Sequence, residues 1–65
     1  MEIKLSLKAA RINANLTQMQ VAKKLNVTQG TIRCWETGKH SIKADNLNRL
    51  CSLYNIPASN IILPN

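Results

Sequence analysis

Residues Thr28 to Thr37 read Thr-Gln-Gly-Thr-Ile-Arg-Cys-Trp-Glu-Thr, and they hold the side chains with the most specific chemistry in the chain. Placed on a helix at about 100° per residue, they separate into two faces. Ile32 and Trp35 fall on one side; Gln29, Gly30, Arg33, Cys34 and Thr37 fall on the other. The Gln29 amide donates and accepts together, which matches the N7 and N6 edge of adenine in a major groove. Arg33 suits the O6 and N7 of guanine, or a phosphate. Gly30 and Cys34 stand at the centre of the polar face. A glycine inside a helix costs about 1 kcal/mol relative to alanine. Small residues there fit a helix backbone that settles close against bases, with Cys34 touching a thymine methyl. The alternatives are a solvated surface at Gln29 and a face that reads bases poorly at Gly30 and Cys34.

Residues around this face have the chemistry of phosphate contacts. Gln18 opens the preceding helix, where free backbone N–H groups attract anions. Thr31 and Thr37 can donate from their hydroxyls, and Lys39, His40 and Lys43 follow the helix. Such contacts set register and affinity without selecting sequence. Lys23 and Lys24 read as a solvated face, and Lys4, Lys8 and Arg49 as surface residues.

The elements that must position these groups read as helices. Only two Gly and two Pro interrupt the chain, too few for the many turns of an all-β fold. Leu5, Leu7, Ala10 and Ala14 suggest a helix over residues 4–14. Thr17 and Gln20 form a Thr-x-x-Gln capping box for a second over 17–25, with Leu16 and Val21 as its hydrophobic staple. Met19, Val21, Ala22 and Leu25 supply its apolar side. Thr28 caps a third over 28–37, with Val27 and Ile32 in the staple positions and Gly38 as its stop. Leu47, Leu50, Cys51 and Tyr54 mark a fourth over 44–54. Pro57 opens a last turn over 58–62 that carries Ile61 and Ile62 inward. Asn15, Asn26 and Asn55 fall where helices stop, and asparagine tolerates left-handed backbone, so positive φ is expected at all three.

Sixty-five residues make one domain, residues 1–65, burying roughly 60% of its unfolded surface. Nine Lys and Arg against three acidic residues give a net charge of +6, which suits a polyanionic partner. Cys34 and Cys51 are too few for a disulfide framework, and with His40 they make no zinc site. No apolar run approaches a membrane span, and no secretory pattern opens the chain. The expectation is a cytoplasmic protein with free thiols, no metal, no cofactor and no membrane partner.

Several linked motifs together closely resemble the phage-repressor type of helix-turn-helix domain, the Cro/C1-type or XRE family. They are Thr17-Gln18, then Val21-Ala22-x-x-Leu25-Asn26-Val27-Thr28, then Ile32-x-x-Trp35-Glu36-x-Gly38. Leu7 to Arg11 and Leu47 to Ile56 extend the likeness over nearly the whole chain. The resemblance implies an all-α, five-helix lambda-repressor-like domain whose helix-turn-helix is its second and third helices. It implies that Arg11 and Glu36 pair across the domain and leave Arg11 near a phosphate. It places base readers at Gln29 and its neighbours, which adds Thr28. Relatives often carry Pro near the start of the fourth helix, where this chain has Lys43 or Ala44.

The function these readings imply is sequence-specific binding of double-stranded DNA by a transcriptional regulator, a repressor above all. A homodimer on a palindromic operator is expected, with Ile61, Ile62 and Leu63 either part of the dimer contact or part of the core. The alternative is an antitoxin-like interaction module whose DNA binding is secondary. An enzyme finds no support: Glu2, Glu36 and Asp45 form no paired carboxylates, and neither a phosphate loop nor a small-molecule site is evident.

Overall fold

Polar caps cut the chain into its helices. A computed structural model describes residues 3–64; Met1, Glu2 and Asn65 lie outside the described residues. Four helices follow one another: α1 (Leu7–Asn13), α2 (Gln18–Leu25), α3 (Gln29–Thr37) and α4 (Ala44–Tyr54). Two short strands, β1 (Leu5–Ser6) and β2 (Ile61–Ile62), pair in parallel with Leu5 opposite Ile61 and Ser6 opposite Ile62.

Three of the four helix starts have a side-chain cap. The Thr17 hydroxyl accepts from the Gln20 N–H at 3.1 Å, and the Thr17 N–H donates to Gln20 Oε1 at 2.8 Å. The expected capping box is therefore complete. Thr28 caps α3 through the Thr31 N–H at 3.3 Å. Ser6 caps α1 in the same way, accepting from the Ala9 N–H at 3.1 Å.

That third cap corrects the reading of the first helix. Residues 4–14 do not form one helix: α1 covers Leu7–Asn13, and Leu5 and Ser6 are extended. Ser6 at the cap holds non-helical backbone, which frees the segment before it to pair with β2. The fifth helix over 58–62 is likewise absent. Ala58–Asn60 makes a 3-10 turn, and Ile61–Ile62 continues as strand. Consecutive β-branched residues favour the extended form, and β1 supplies their partner.

Three helices end by one device. Asn15, Asn26 and Asn55 have φ of 60°, 59° and 55°. Behind them the N–H groups of Leu16, Val27 and Ile56 donate to the carbonyls of Arg11, Ala22 and Cys51 at 3.2, 2.9 and 3.0 Å. These are Schellman closures, which satisfy carbonyls the helix would leave free. Left-handed backbone costs most residues about 1–2 kcal/mol. Exposed Asn26 tests this cleanly. Asn26→Ala is expected to lose about 1–2 kcal/mol in urea denaturation, while Asn26→Gly stays within about 0.5 kcal/mol of the parent. Equal losses for both would show that φ is not what the residue supplies.

The core draws on every helix: Leu7 and Ala10, Val21, Ala22 and Leu25, Ile32 and Trp35, then Leu50 and Tyr54. Leu16, Val27 and Ile61 pack at its edge. Two apolar expectations fail. Met19 and Ile62 are each 53% exposed, so neither belongs to the core. Met19 lies on the outer side of α2, and Ile62 is turned out by the alternation of the strand that turns Ile61 in. Arg49 is exposed as expected, but its guanidinium also makes a bond to the body of the domain. Its Nη2 donates to the Leu25 carbonyl at 3.0 Å, tying α4 to the C-terminal end of α2, where a cation is favoured.

Candidate nucleic-acid interface

The position of α3 is set from beneath by a buried ion pair. Arg11 is only 8% exposed. Its Nε donates to Glu36 Oε2 at 2.7 Å, its Nη2 to Glu36 Oε1 at 3.4 Å, and its Nη1 to the Leu16 carbonyl at 2.9 Å. One guanidinium thus joins α1, the turn after it and α3. The pair expected between Arg11 and Glu36 is present, but Arg11 faces inward, with its donors engaged by protein groups.

From Glu36 the bonds continue outward. Gln18 Nε2 donates to Glu36 Oε1 at 3.0 Å, and Gln29 Nε2 approaches Gln18 Oε1 at a long 3.4 Å. Gln18, expected only as a phosphate contact, is therefore also a bridge between the buried carboxylate and the outer face. Its place at the first position of α2 was legible in the sequence; the bridge depends on how α2 and α3 cross and was not.

The outer face of α3 is open. Gln29, Gly30, Arg33 and Thr37 are exposed, and Cys34 is half-buried. Two adjoining hollows run along it. One of about 370 Å³ is lined by Gln18, Gln29, Gly30 and Arg33. The other, about 390 Å³, is lined by Gly30, Arg33, Cys34, Thr37 and Lys39. Gly30 lies in both. A Cβ built on it would meet only Thr28 Oγ1, at 3.9 Å. Nothing among the described residues requires a glycine there.

The hydroxyls are partly committed. Thr28 and Thr31 oxygens lie 2.9 Å apart and share a hydrogen, while Thr37 donates to the Arg33 carbonyl at 3.0 Å. Beyond α3, Gly38 turns left-handed at φ 81°, and the His40 N–H donates back to the Cys34 carbonyl at 3.3 Å. Lys39, His40 and Lys43 follow in exposed positions. Lys43 precedes α4 without a side-chain capping bond. Glu36 is paired with Arg11, and Arg33, Lys39 and Lys43 are exposed cations near the face with no ion-pair partner among the described residues. Both cysteines are free, and burial pushes the Cys51 thiol up, away from reactivity.

The model of a helix-turn-helix family matches residues 7–61. The chain belongs to the Cro/C1-type, or XRE, helix-turn-helix family. No curated protein and no solved structure matches it. The family is one of DNA-binding regulators of transcription. In this helix-turn-helix domain α2 and α3 are the two helices of the motif, joined through left-handed Asn26. The match starts at the first residue of α1 and ends at the first residue of β2, so it includes all four helices and both members of the buried pair. Among the described residues no helix is long and apolar enough to cross a membrane.

Proposed function

We propose that this domain is a sequence-specific repressor that lays the outer face of α3 in the major groove of an operator. The observation that carries the reading is the combination of an open polar face with a rigid mount. Gln29 and Arg33 are exposed on one side of a helix whose other side is fixed by Ile32, Trp35 and the Arg11–Glu36 pair. Gln29 reads adenine, Arg33 grips guanine or a phosphate, and Thr28 and Cys34 add contacts beside them. Gln18, Thr31, Thr37, Lys39, His40 and Lys43 bind phosphates, which fixes register. Arg11 acts from within, by holding α3 in place. One domain covers few base pairs, so two copies on a palindrome supply the length a specific site needs. Exposed Ile62 and Leu63 are available to that contact.

Selection of bound sites from random duplexes tests the reading. A palindromic consensus and a steep loss of affinity with salt are expected. Weak binding without a consensus would favour the antitoxin-like alternative, and co-purification with one stoichiometric protein would establish it.

Gly30 makes a separate prediction. Because the domain has room for a methyl group, Gly30→Ala is expected to stabilise the fold by about 1 kcal/mol in thermal or urea denaturation. The same change is expected to weaken operator binding by about 1 kcal/mol, because the added methyl holds the backbone off the bases. A more stable protein with unchanged affinity would end the idea of close approach.

A further inference from the structure

The two most exposed large apolar side chains among the described residues lie together. Ile3 is 67% exposed and Ile12 55%, and both line one hollow of about 470 Å³ with Leu5, Ala9 and Asn13. We infer that this hollow, between β1 and the outer side of α1, is a docking groove for a protein partner that presents an acidic amphipathic helix.

The groove follows from the pattern of β1 and α1. Leu7, Ala10 and Arg11 turn the inner side of α1 to the core. At about 100° per residue, Ala9, Ile12 and Asn13 then fall on the opposite side. A gathered apolar patch on a soluble domain marks a place where a partner sits. Charge names the partner. Lys4 stands between Ile3 and Leu5, and Lys8 one turn before Ile12, both exposed. Among the described residues no acid lines the groove. Apolar anchors three and four residues apart on a helix fill such a hollow, and carboxylates beside them meet the two lysines. A second copy of the chain repeats the lysines and, among the described residues, exposes one acid, Asp45. A bilayer surface has no ridge to fill a hollow. A duplex offers phosphates to the lysines and leaves the isoleucines in water. The groove also lies apart from the proposed DNA face. Arg11 leaves the inner side of α1 to reach Glu36 of α3, so α1 itself stands between the groove and α3. The partner thus occupies the domain while α3 lies in a duplex.

The test titrates the protein with a synthetic peptide of about fifteen residues, leucines three and four apart and glutamates between them, and follows the backbone amide resonances. A scrambled peptide of the same composition keeps the charge and loses the apolar stripe. Shifts gathered at Ile3, Leu5, Ala9, Ile12 and Asn13 are expected, with the scrambled peptide bound about tenfold more weakly. Ile12→Ser is expected to weaken binding about tenfold and Lys8→Glu about threefold. Both residues are exposed, so both variants are expected to fold. The matching changes on α2, Met19→Ser and Lys24→Glu, are expected to leave binding within about twofold of the parent. Shifts centred on Gln29 and Arg33, or equal binding of the two peptides, would mean that negative charge alone is held, and would overturn the proposal. The absence of any shift overturns it as well. So does a dimer in sedimentation equilibrium, or attachment to phosphatidylserine vesicles, that Ile12→Ser abolishes, since the groove would then belong to a second copy or to a membrane. None of these outcomes touches the reading of α3, which stands or falls with the selection of bound duplexes.

Discussion

Arg11→Ala is expected to remove about 3–5 kcal/mol of folding stability, the usual cost of leaving one member of a buried ion pair without the other. Side-chain exposures of 10% for Arg11 and 5% for Glu36 put the pair in that regime rather than among surface bridges. Arg11 also holds the Leu16 carbonyl, so its loss releases the turn into α2. A domain of 65 residues has roughly 3–10 kcal/mol in total, so the variant is expected to be largely unfolded at ambient temperature. Urea denaturation followed by circular dichroism measures it. The double replacement Arg11→Met with Glu36→Leu removes both charges together and is expected to be more stable than Arg11→Ala. A single-variant loss under about 1 kcal/mol would mean that the pair does not anchor α3.

Alkaline pH is expected to destabilise the domain through Tyr54. Its hydroxyl is buried and has no hydrogen-bond partner among the described residues. Burial, with the nearby Glu36 carboxylate adding to it, pushes the Tyr54 hydroxyl up to about 12 from an ordinary 10. The folded value lies above the unfolded one. The contribution is therefore intact below pH 10 and is lost as pH rises toward 12, because only the unfolded chain ionises in that window. The shift corresponds to about 2–3 kcal/mol. Tyr54→Phe is expected to abolish this part of the pH dependence, seen as a flatter stability profile between pH 10 and 12. It also removes an unpaired buried hydroxyl, so stability at neutral pH is expected to hold or rise. Parallel profiles for the two proteins would show that Tyr54 ionises equally in the folded and unfolded states.

Local signals in the sequence were enough for most of the helices. Thr17 with Gln20, Thr28 and the three asparagines act within a few residues of themselves, so their spacing alone marks α2, α3 and α4 and the turns between them. Ser6 is as local a cap, but the apolar spacing of Leu5 and Leu7 masked it. The β1–β2 pairing is not local at all: Leu5 and Ser6 extend because Ile61 and Ile62 arrive from the far end of the chain. Met19 shows the limit of periodicity, since an apolar residue one step off the stripe stays exposed. The outer face of the candidate interface was legible from helical geometry, because Ile32 and Trp35 define its inner side. The bond of Arg49 to the Leu25 carbonyl and the route from Glu36 through Gln18 to Gln29 were not, because both cross between helices whose relative placement no short-range pattern encodes.

The most direct measurement takes the adenine that the proposed reading assigns to Gln29 and replaces it with 7-deazaadenine, which deletes the N7 acceptor from the major groove and leaves base pairing alone. The parent domain is expected to bind the altered operator roughly fivefold more weakly, the loss of one hydrogen bond, while Gln29→Ala binds both duplexes equally. Equal binding of both duplexes by the parent, on a site it demonstrably selects, would contradict a groove entered by this side of α3.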